Sequence, residues 1–129
     1  MKRFKGLLVI GCLLFILAAC GKPKEFICVE FFERHLLKEE YDSDYATINE
    51  EFMLAGNKEY QLELVGELKE GEVEVTISYD GTSSKTIEIT STDSYQDILE
   101  VPAGTSTISI AIRINENSEG MIKGSLLAR

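Results

Sequence analysis

Few residues of this chain have the types and spacing that catalysis requires. The one histidine, His35, lies in an apolar stretch, and the sequence contains no G-x-S-x-G nucleophile motif. Carboxylates come in pairs, at Glu39-Glu40 and Glu50-Glu51, but a glycosidase needs two of them in a shaped cleft, one desolvated. Since glutamates also alternate with apolar residues, a solvated sheet face explains them better. We predict a protein that is not an enzyme, with a small hydrolase as an unfavoured alternative.

Binding chemistry has a few weak candidates. Asp42 and Asp44 offer hard oxygen ligands of the kind calcium prefers, as does the loop "NENSEG" at 115–120, but neither fits an EF-hand pattern. We therefore predict solvated turns and no metal or other cofactor. Tyr41, Tyr45 and Tyr95 lie near turns and are the best candidates for an exposed aromatic platform that binds a sugar, with core packing as the alternative.

The N-terminus has the layout of an export signal. Met1 to Lys5 is basic, and 6–19 contains only Gly, Cys, Leu, Val, Ile, Phe and Ala. A basic start, an apolar run and small residues at its end are typical of a cleaved secretory leader. The uncharged run is shorter than the roughly 20 residues that a membrane-spanning helix needs, so an uncleaved anchor helix is the less favoured alternative.

The small residues at the end of this run lead to a cysteine, in Leu17-Ala18-Ala19-Cys20, with Gly21 after it. This tetrapeptide resembles the lipobox of bacterial lipoproteins. The resemblance implies a diacylglyceryl thioether on Cys20, cleavage between Ala19 and Cys20, and a new N-terminus at Cys20. Two acyl chains hold a protein to a bilayer firmly, whereas one does so only marginally. It also implies a location on the extracytoplasmic face of a bacterial membrane, in an envelope of either one or two membranes.

Processing of this kind changes the cysteine count and the charge. Cys12 would leave with the leader and Cys20 would carry lipid, so Cys28 is the one thiol left, and we expect it to be buried in a strand. Loss of the three leader cations Lys2, Arg3 and Lys5 takes the net charge from −9 to −12. Such an acidic chain disfavours nucleic acid and anionic lipid as direct partners.

The remainder of the chain reads as strands separated by turns. In "GEVEVTISYDG", Val73, Val75, Ile77 and Tyr79 alternate with polar residues, and the strand ends at an Asp80-Gly81 hairpin signal. Similar alternation recurs across seven or eight segments, and we place turns at 66–71 and 91–95. The stretch "FICVEFFERHLL" (26–37) fits either a strand or a helix, and its aromatic and β-branched content favours the strand. We predict an antiparallel β-sandwich, jelly-roll-like or immunoglobulin-like, of about seven or eight strands.

The order of these segments carries a further resemblance. The stretches "FMLAGNKEYQLELVGELKEGEVEVTISYDG", "ILEVPAGTSTISIAI" and "GMIKGSLL" resemble a plan found in small bacterial lipoproteins and in carbohydrate-binding-like jelly rolls. The resemblance implies a fold rather than an activity. The predicted organisation is a leader over 1–19, a lipidated cysteine and tether over 20–25, and a β-sandwich over 26–129.

Taken with the absence of catalytic motifs, this organisation predicts a lipid-anchored, non-catalytic binding or interaction module of the cell envelope. Its partner would be a protein or a glycan. An inhibitor or chaperone of an envelope enzyme is the alternative that would show a stoichiometric protein complex.

Overall fold

The computed structural model describes residues 25–41 and 46–129, and these form eight strands and one short helix. The strands are β1 (Ile27–Leu36), β2 (Ala46–Met53), β3 (Tyr60–Glu70), β4 (Glu72–Tyr79), β5 (Thr82–Thr90), β6 (Tyr95–Glu100), β7 (Thr107–Ile114) and β8 (Glu119–Ala128). A 3₁₀ helix, Lys38–Tyr41, follows β1. In the described ranges, no helix is both long enough and apolar enough to cross a bilayer.

The strands form two four-stranded antiparallel sheets, in the orders β1-β8-β3-β6 and β2-β7-β4-β5. The first strand therefore pairs with the last, the second with the seventh, and so on inwards to the β4–β5 hairpin. This nested pairing is what results when one long hairpin is rolled over itself, which is the jelly-roll form of a β-sandwich. The all-β prediction is confirmed, and so is the preference for a strand at 26–37.

The core lies between the two sheets and is built from aliphatic side chains at alternate strand positions. Alternate isoleucines of β7, from Ile108 to Ile114, are almost completely buried, as are Val73, Val75 and Ile77 of β4. Alternation works here because successive side chains of a strand point to opposite faces of its sheet. The intervening polar residues of β4 are correspondingly solvated, as the sequence predicted.

The hairpin between β4 and β5 has the backbone that its sequence predicts. Asp80 and Gly81 both have positive φ angles, of 51° and 85°, which a two-residue type I′ turn requires. The Asp80 carboxylate also accepts hydrogen bonds from the backbone N–H groups of Ser106 and Thr107, at 2.9–3.2 Å. One side chain thus joins the β4–β5 turn to the start of β7.

Three local expectations were wrong. The segment from Gly66 was predicted to turn, but β3 continues to Glu70 because the missing side chain of Gly66 leaves room for Ile89 and Ile122. The turn is made instead at Gly71, whose φ is +90°. Tyr95 was placed in a polar connection and instead opens β6. Cys28 was expected to be buried, and it is exposed because β1 is an edge strand.

An aromatic contact joins the two sheets at the edge of the sandwich that is formed by β1 and β2. Phe32 of β1 packs against Phe52 of β2, with 6.0 Å between the ring centroids, and the Arg34 guanidinium pairs with the Glu50 carboxylate beside it. The Phe32 ring also lies over Gly124 of β8, where a β-carbon would overlap it. The absence of a side chain at Gly124 therefore lets the Phe32 ring approach the β8 backbone closely.

The substitution Gly124→Ala is expected to destabilise the domain by about 1–3 kcal/mol, because the added methyl forces the Phe32 ring out of its packed position. Chemical denaturation followed by circular dichroism measures the change. Gly56→Ala is the matched control, since a β-carbon at position 56 meets no atom within 4 Å. Equal stability of the two variants would contradict the packing described here.

Candidate functional site

An open cleft of about 640 Å³ lies at one end of the sandwich. It lies where β1 and β3 end, β8 begins, and β5 connects to β6. Its side chains are mostly charged or hydroxylated, with a few apolar ones. The lining includes His35, Leu37, Glu67, Lys69, Ser91, Thr92, Ser94, Glu119 and Met121.

The histidine of the cleft is joined to a carboxylate rather than to a nucleophile. His35 lies opposite Met121 of β8, and its Nε2 atom is 2.6 Å from Glu33 Oε2. The imidazole is well exposed, at 68 % of its side-chain surface. In a serine-hydrolase arrangement the imidazole contacts a hydroxyl on one side and a carboxylate on the other. The contact between His35 and Glu33 corresponds only to the carboxylate side of that arrangement. It orients the imidazole as a hydrogen-bonding group at the rim of the cleft.

The carboxylates of the cleft come from two strands. Glu67 of β3 lies opposite Met121, and Glu119 opens β8. Lys69 approaches Glu119, with 3.9 Å between Nζ and Oε2, and Lys38 pairs with Glu70 at 3.1 Å on the adjoining rim. Pairs this exposed contribute little to stability. Their charged groups are therefore free to exchange water for a ligand.

The hydroxyls of the cleft come from the connection between β5 and β6. Thr90 and Asp93 exchange two backbone hydrogen bonds of 3.2 Å, which closes the connection into a tight loop. The Thr90 and Thr92 hydroxyls lie 3.3 Å apart. Ser91, Thr92 and Ser94 are exposed on this loop and line the cleft. The sequence predicts a polar turn here, and its run of hydroxyl residues is the one signal from which a site could have been inferred.

A buried serine, Ser118, stabilises the part of the cleft wall that carries Glu119. The Ser118 hydroxyl lies within 2.7 Å of the Asn115 carbonyl oxygen and 3.1 Å of the Glu72 carbonyl oxygen, and it accepts from the Glu72 N–H at 3.2 Å. Ser118 is completely buried, and Gly71 leaves the space it occupies. The "NENSEG" loop is thus tied to the β3–β4 turn.

The predicted aromatic platform is only partly visible. Tyr41 and Tyr95 are half-buried and pack against the core, and the Tyr41 carbonyl oxygen accepts a hydrogen bond from the Asn117 N–H. Burial, together with the neighbouring Asp97 carboxylate, raises the pKa of the Tyr95 hydroxyl. Tyr45 lies outside the described residues, so a platform of these three tyrosines stays a prediction.

The other predicted site residues fall outside the description as well. The lipidation site Cys20, the cleavage position after Ala19, and the weak metal candidates Asp42 and Asp44 all belong to 1–24 or 42–45. Within residues 25–41 and 46–129, no group of three or more His, Cys, Asp or Glu side chains is placed to hold a metal ion. In the "NENSEG" loop, the Asn115 amide instead donates to Glu72 Oε1 at 3.3 Å.

Comparison with known proteins gives little beyond the architecture. No known protein family matches the sequence, and no curated protein matches it. Among solved structures, the fold is similar to "TmCBM61 in complex with beta-1,4-galactotriose", with a TM-score of 0.46 and 14 % identity. The alignment covers 73 % of this chain and 63 % of that one, so the chain spans less than two thirds of that structure's length.

Ser118→Ala is expected to destabilise the domain by about 1–3 kcal/mol, because it leaves the part-buried backbone N–H of Glu72 without its acceptor. Hydrogen exchange at 115–120 should quicken along with the loss of stability. Ser84→Ala is the control, since Ser84 is exposed. Unchanged exchange in the Ser118 variant would show that the hydroxyl does not fix this wall.

Proposed function

We propose that the chain is a lipid-anchored, non-catalytic binding module of a bacterial cell envelope, and that the cleft at the end of its jelly roll holds a glycan. The observation that carries the proposal is the composition of the cleft. Hydroxyls, carboxylates and an ammonium converge there with the apolar side chains of Leu37 and Met121. Its volume of about 640 Å³ falls within the usual range for ligand sites, roughly 300–1,000 Å³.

A sugar needs this mixture of groups. Each sugar hydroxyl can both donate and accept a hydrogen bond. It can therefore donate to or accept from the hydroxyl of Ser94 or Thr92, and it can donate to the Glu67 carboxylate. The C–H faces of a pyranose ring are apolar and pack on side chains such as Leu37 and Met121. Since the cleft is open, a polymer can enter and leave it without a movement of the chain.

The solvation of the carboxylates favours binding over hydrolysis. A glycosidase places its acid in a dry pocket and pairs it with a second carboxyl group across the scissile bond. Glu67 is exposed, and Glu119 is beside the Lys69 ammonium. Carboxylates in such surroundings accept hydrogen bonds from sugar hydroxyls, which is the role we assign them.

The anchoring part of the proposal rests on the sequence. The leader, the tetrapeptide Leu17-Ala18-Ala19-Cys20 and the short tether before β1 together indicate a diacylglyceryl cysteine at position 20. An anchor of this kind would keep a glycan-binding cleft beside the wall polymers of the cell, where a freely diffusing domain would be diluted.

Glycan binding is tested with the full-length protein against a panel of soluble polysaccharides in affinity gel electrophoresis. Glu67→Gln should weaken binding about tenfold or more, because a charge-assisted hydrogen bond contributes roughly 1.5–3 kcal/mol. Glu63→Gln is the matched control, since Glu63 is on the same strand and opposite Ile98, away from the cleft lining. Retardation by none of the polysaccharides, or equal weakening by both variants, would contradict the proposal.

Anchoring is tested with Cys20→Ala in the producing cell. We expect the variant to leave the membrane fraction, as an uncleaved precursor or a secreted form, and to lose incorporation of labelled palmitate. Cys28→Ala is the matched control and should keep both properties, because Cys28 is an exposed thiol of the folded domain. Unaltered fractionation and labelling of the Cys20 variant would end this part of the proposal.

A further inference from the structure

The first half of β1 exposes apolar side chains that a soluble edge strand would normally avoid. Ile27, Val29 and Phe31, which we name the β1 strip, are 64 %, 49 % and 61 % exposed. A β-bulge at Val29 shifts the pairing with β8 between Cys28 and Glu30. Ile27 is therefore opposite Ala128 and Phe31 is opposite Ser125, so their side chains lie on opposite faces of the sheet and the strip runs along its edge. Edge strands with apolar surface are prone to pair or aggregate unless something covers them.

We infer that the β1 strip lies on the headgroup region of the membrane that holds the lipid anchor, and so sets the orientation of the domain. The inference rests on the proposed lipidation of Cys20. Two observations point to a bilayer as the occupant of this surface. One is the length of chain between the anchor and the strip, and the other is the presence of cations beside the rings of Phe31 and the neighbouring Phe26.

The length of the tether leaves the strip little freedom to move away from the membrane. Ile27 follows Cys20 by seven residues. Fully extended, seven residues reach at most about 25 Å. The start of β1 therefore stays within that distance of the lipid anchor.

The rings at this end of the domain are accompanied by cations. The Lys123 ammonium lies 5.5 Å from the centroid of the Phe31 ring. Beside the strip, the Arg129 guanidinium lies 4.4 Å from the centroid of the Phe26 ring and also pairs with Glu59 at 2.7 Å. Lys22 and Lys24 belong to the tether. Aromatic and apolar groups flanked by Lys or Arg are typical of segments that lie in a membrane interface.

The test uses the exposed thiol of Cys28, which is within the strip and is the one free thiol that a lipidated, processed chain retains. The lipoprotein is purified from cells, and its mass is measured to establish lipidation. It is then labelled with an environment-sensitive maleimide and reconstituted into vesicles of phosphatidylcholine and phosphatidylglycerol. We expect a blue shift of the emission and a loss of intensity when the acyl chains of the lipids are brominated.

The control label is placed at the opposite edge of the sandwich. In the double variant Cys28→Ser with Ser84→Cys, the fluorophore is on β5, the edge strand of the other sheet. It should be insensitive to brominated lipid. In a lipidated protein, equal quenching at the two positions or quenching at neither overturns the inference. Either result leaves the proposal of a lipid anchor at Cys20 standing. A measured mass without the diacylglyceryl group overturns both the anchor and the inference.

Variants of the strip give an independent readout on the label at Cys28. Phe31→Asp should abolish the quenching while lipidation persists, because the charge cannot enter the interface. Ile98→Asp is the matched control, since Ile98 is also an exposed apolar residue, on the other edge strand of the same sheet, β6. A second copy of the chain could cover the strip instead. In that case the Cys28 label is not quenched by brominated lipid, an oxidative Cys28–Cys28 cross-link forms between two unlabelled copies, and Phe31→Asp abolishes that cross-link. This result would show that the inference is wrong.

Discussion

The packing of the Phe32 ring over Gly124 is the contact on which both ends of β1 depend. β1 is an edge strand that pairs with one neighbour, β8, and most of its side chains are exposed. Phe32 and Leu36 are its contributions to the core, and Phe32 also reaches Phe52 on the facing sheet. Because a β-carbon at position 124 would displace the ring, this one glycine leaves the space in which Phe32 packs across the first and last strands of the roll.

The strand positions were largely predictable because most strands have one dry and one wet face. In β4 and β7 the alternation is strict, and each valine and isoleucine is buried as expected. Gly66 escaped prediction because glycine usually marks the end of a strand, whereas here it makes room for Ile89 inside one. Cys28 escaped because nothing local distinguishes an edge strand from a central one. Whether a strand lies at the edge of a sheet depends on the topology, which cannot be read from a single sequence.

The cleft was harder to predict than the fold for a related reason. Its groups come from four places far apart in the chain: the end of β1, the end of β3, the loop before β6 and the start of β8. No pair of them has a spacing that signals a site. Glu67 resembles every other solvated glutamate of an alternating strand, and only the pairing of β8 with both β1 and β3 brings it opposite Met121 and near His35.

The anchor and the cleft are related through the length of β1. The tether enters at Ile27, while His35 and Leu37 line the cleft at the other end of the strand. Ten residues of strand extend about 30 Å. If the first half of β1 rests on the membrane, the second half carries the cleft away from the headgroups. A wall polymer could then reach the cleft without competing with lipid, so the exposed apolar strip and the polar cleft would serve one arrangement of the domain.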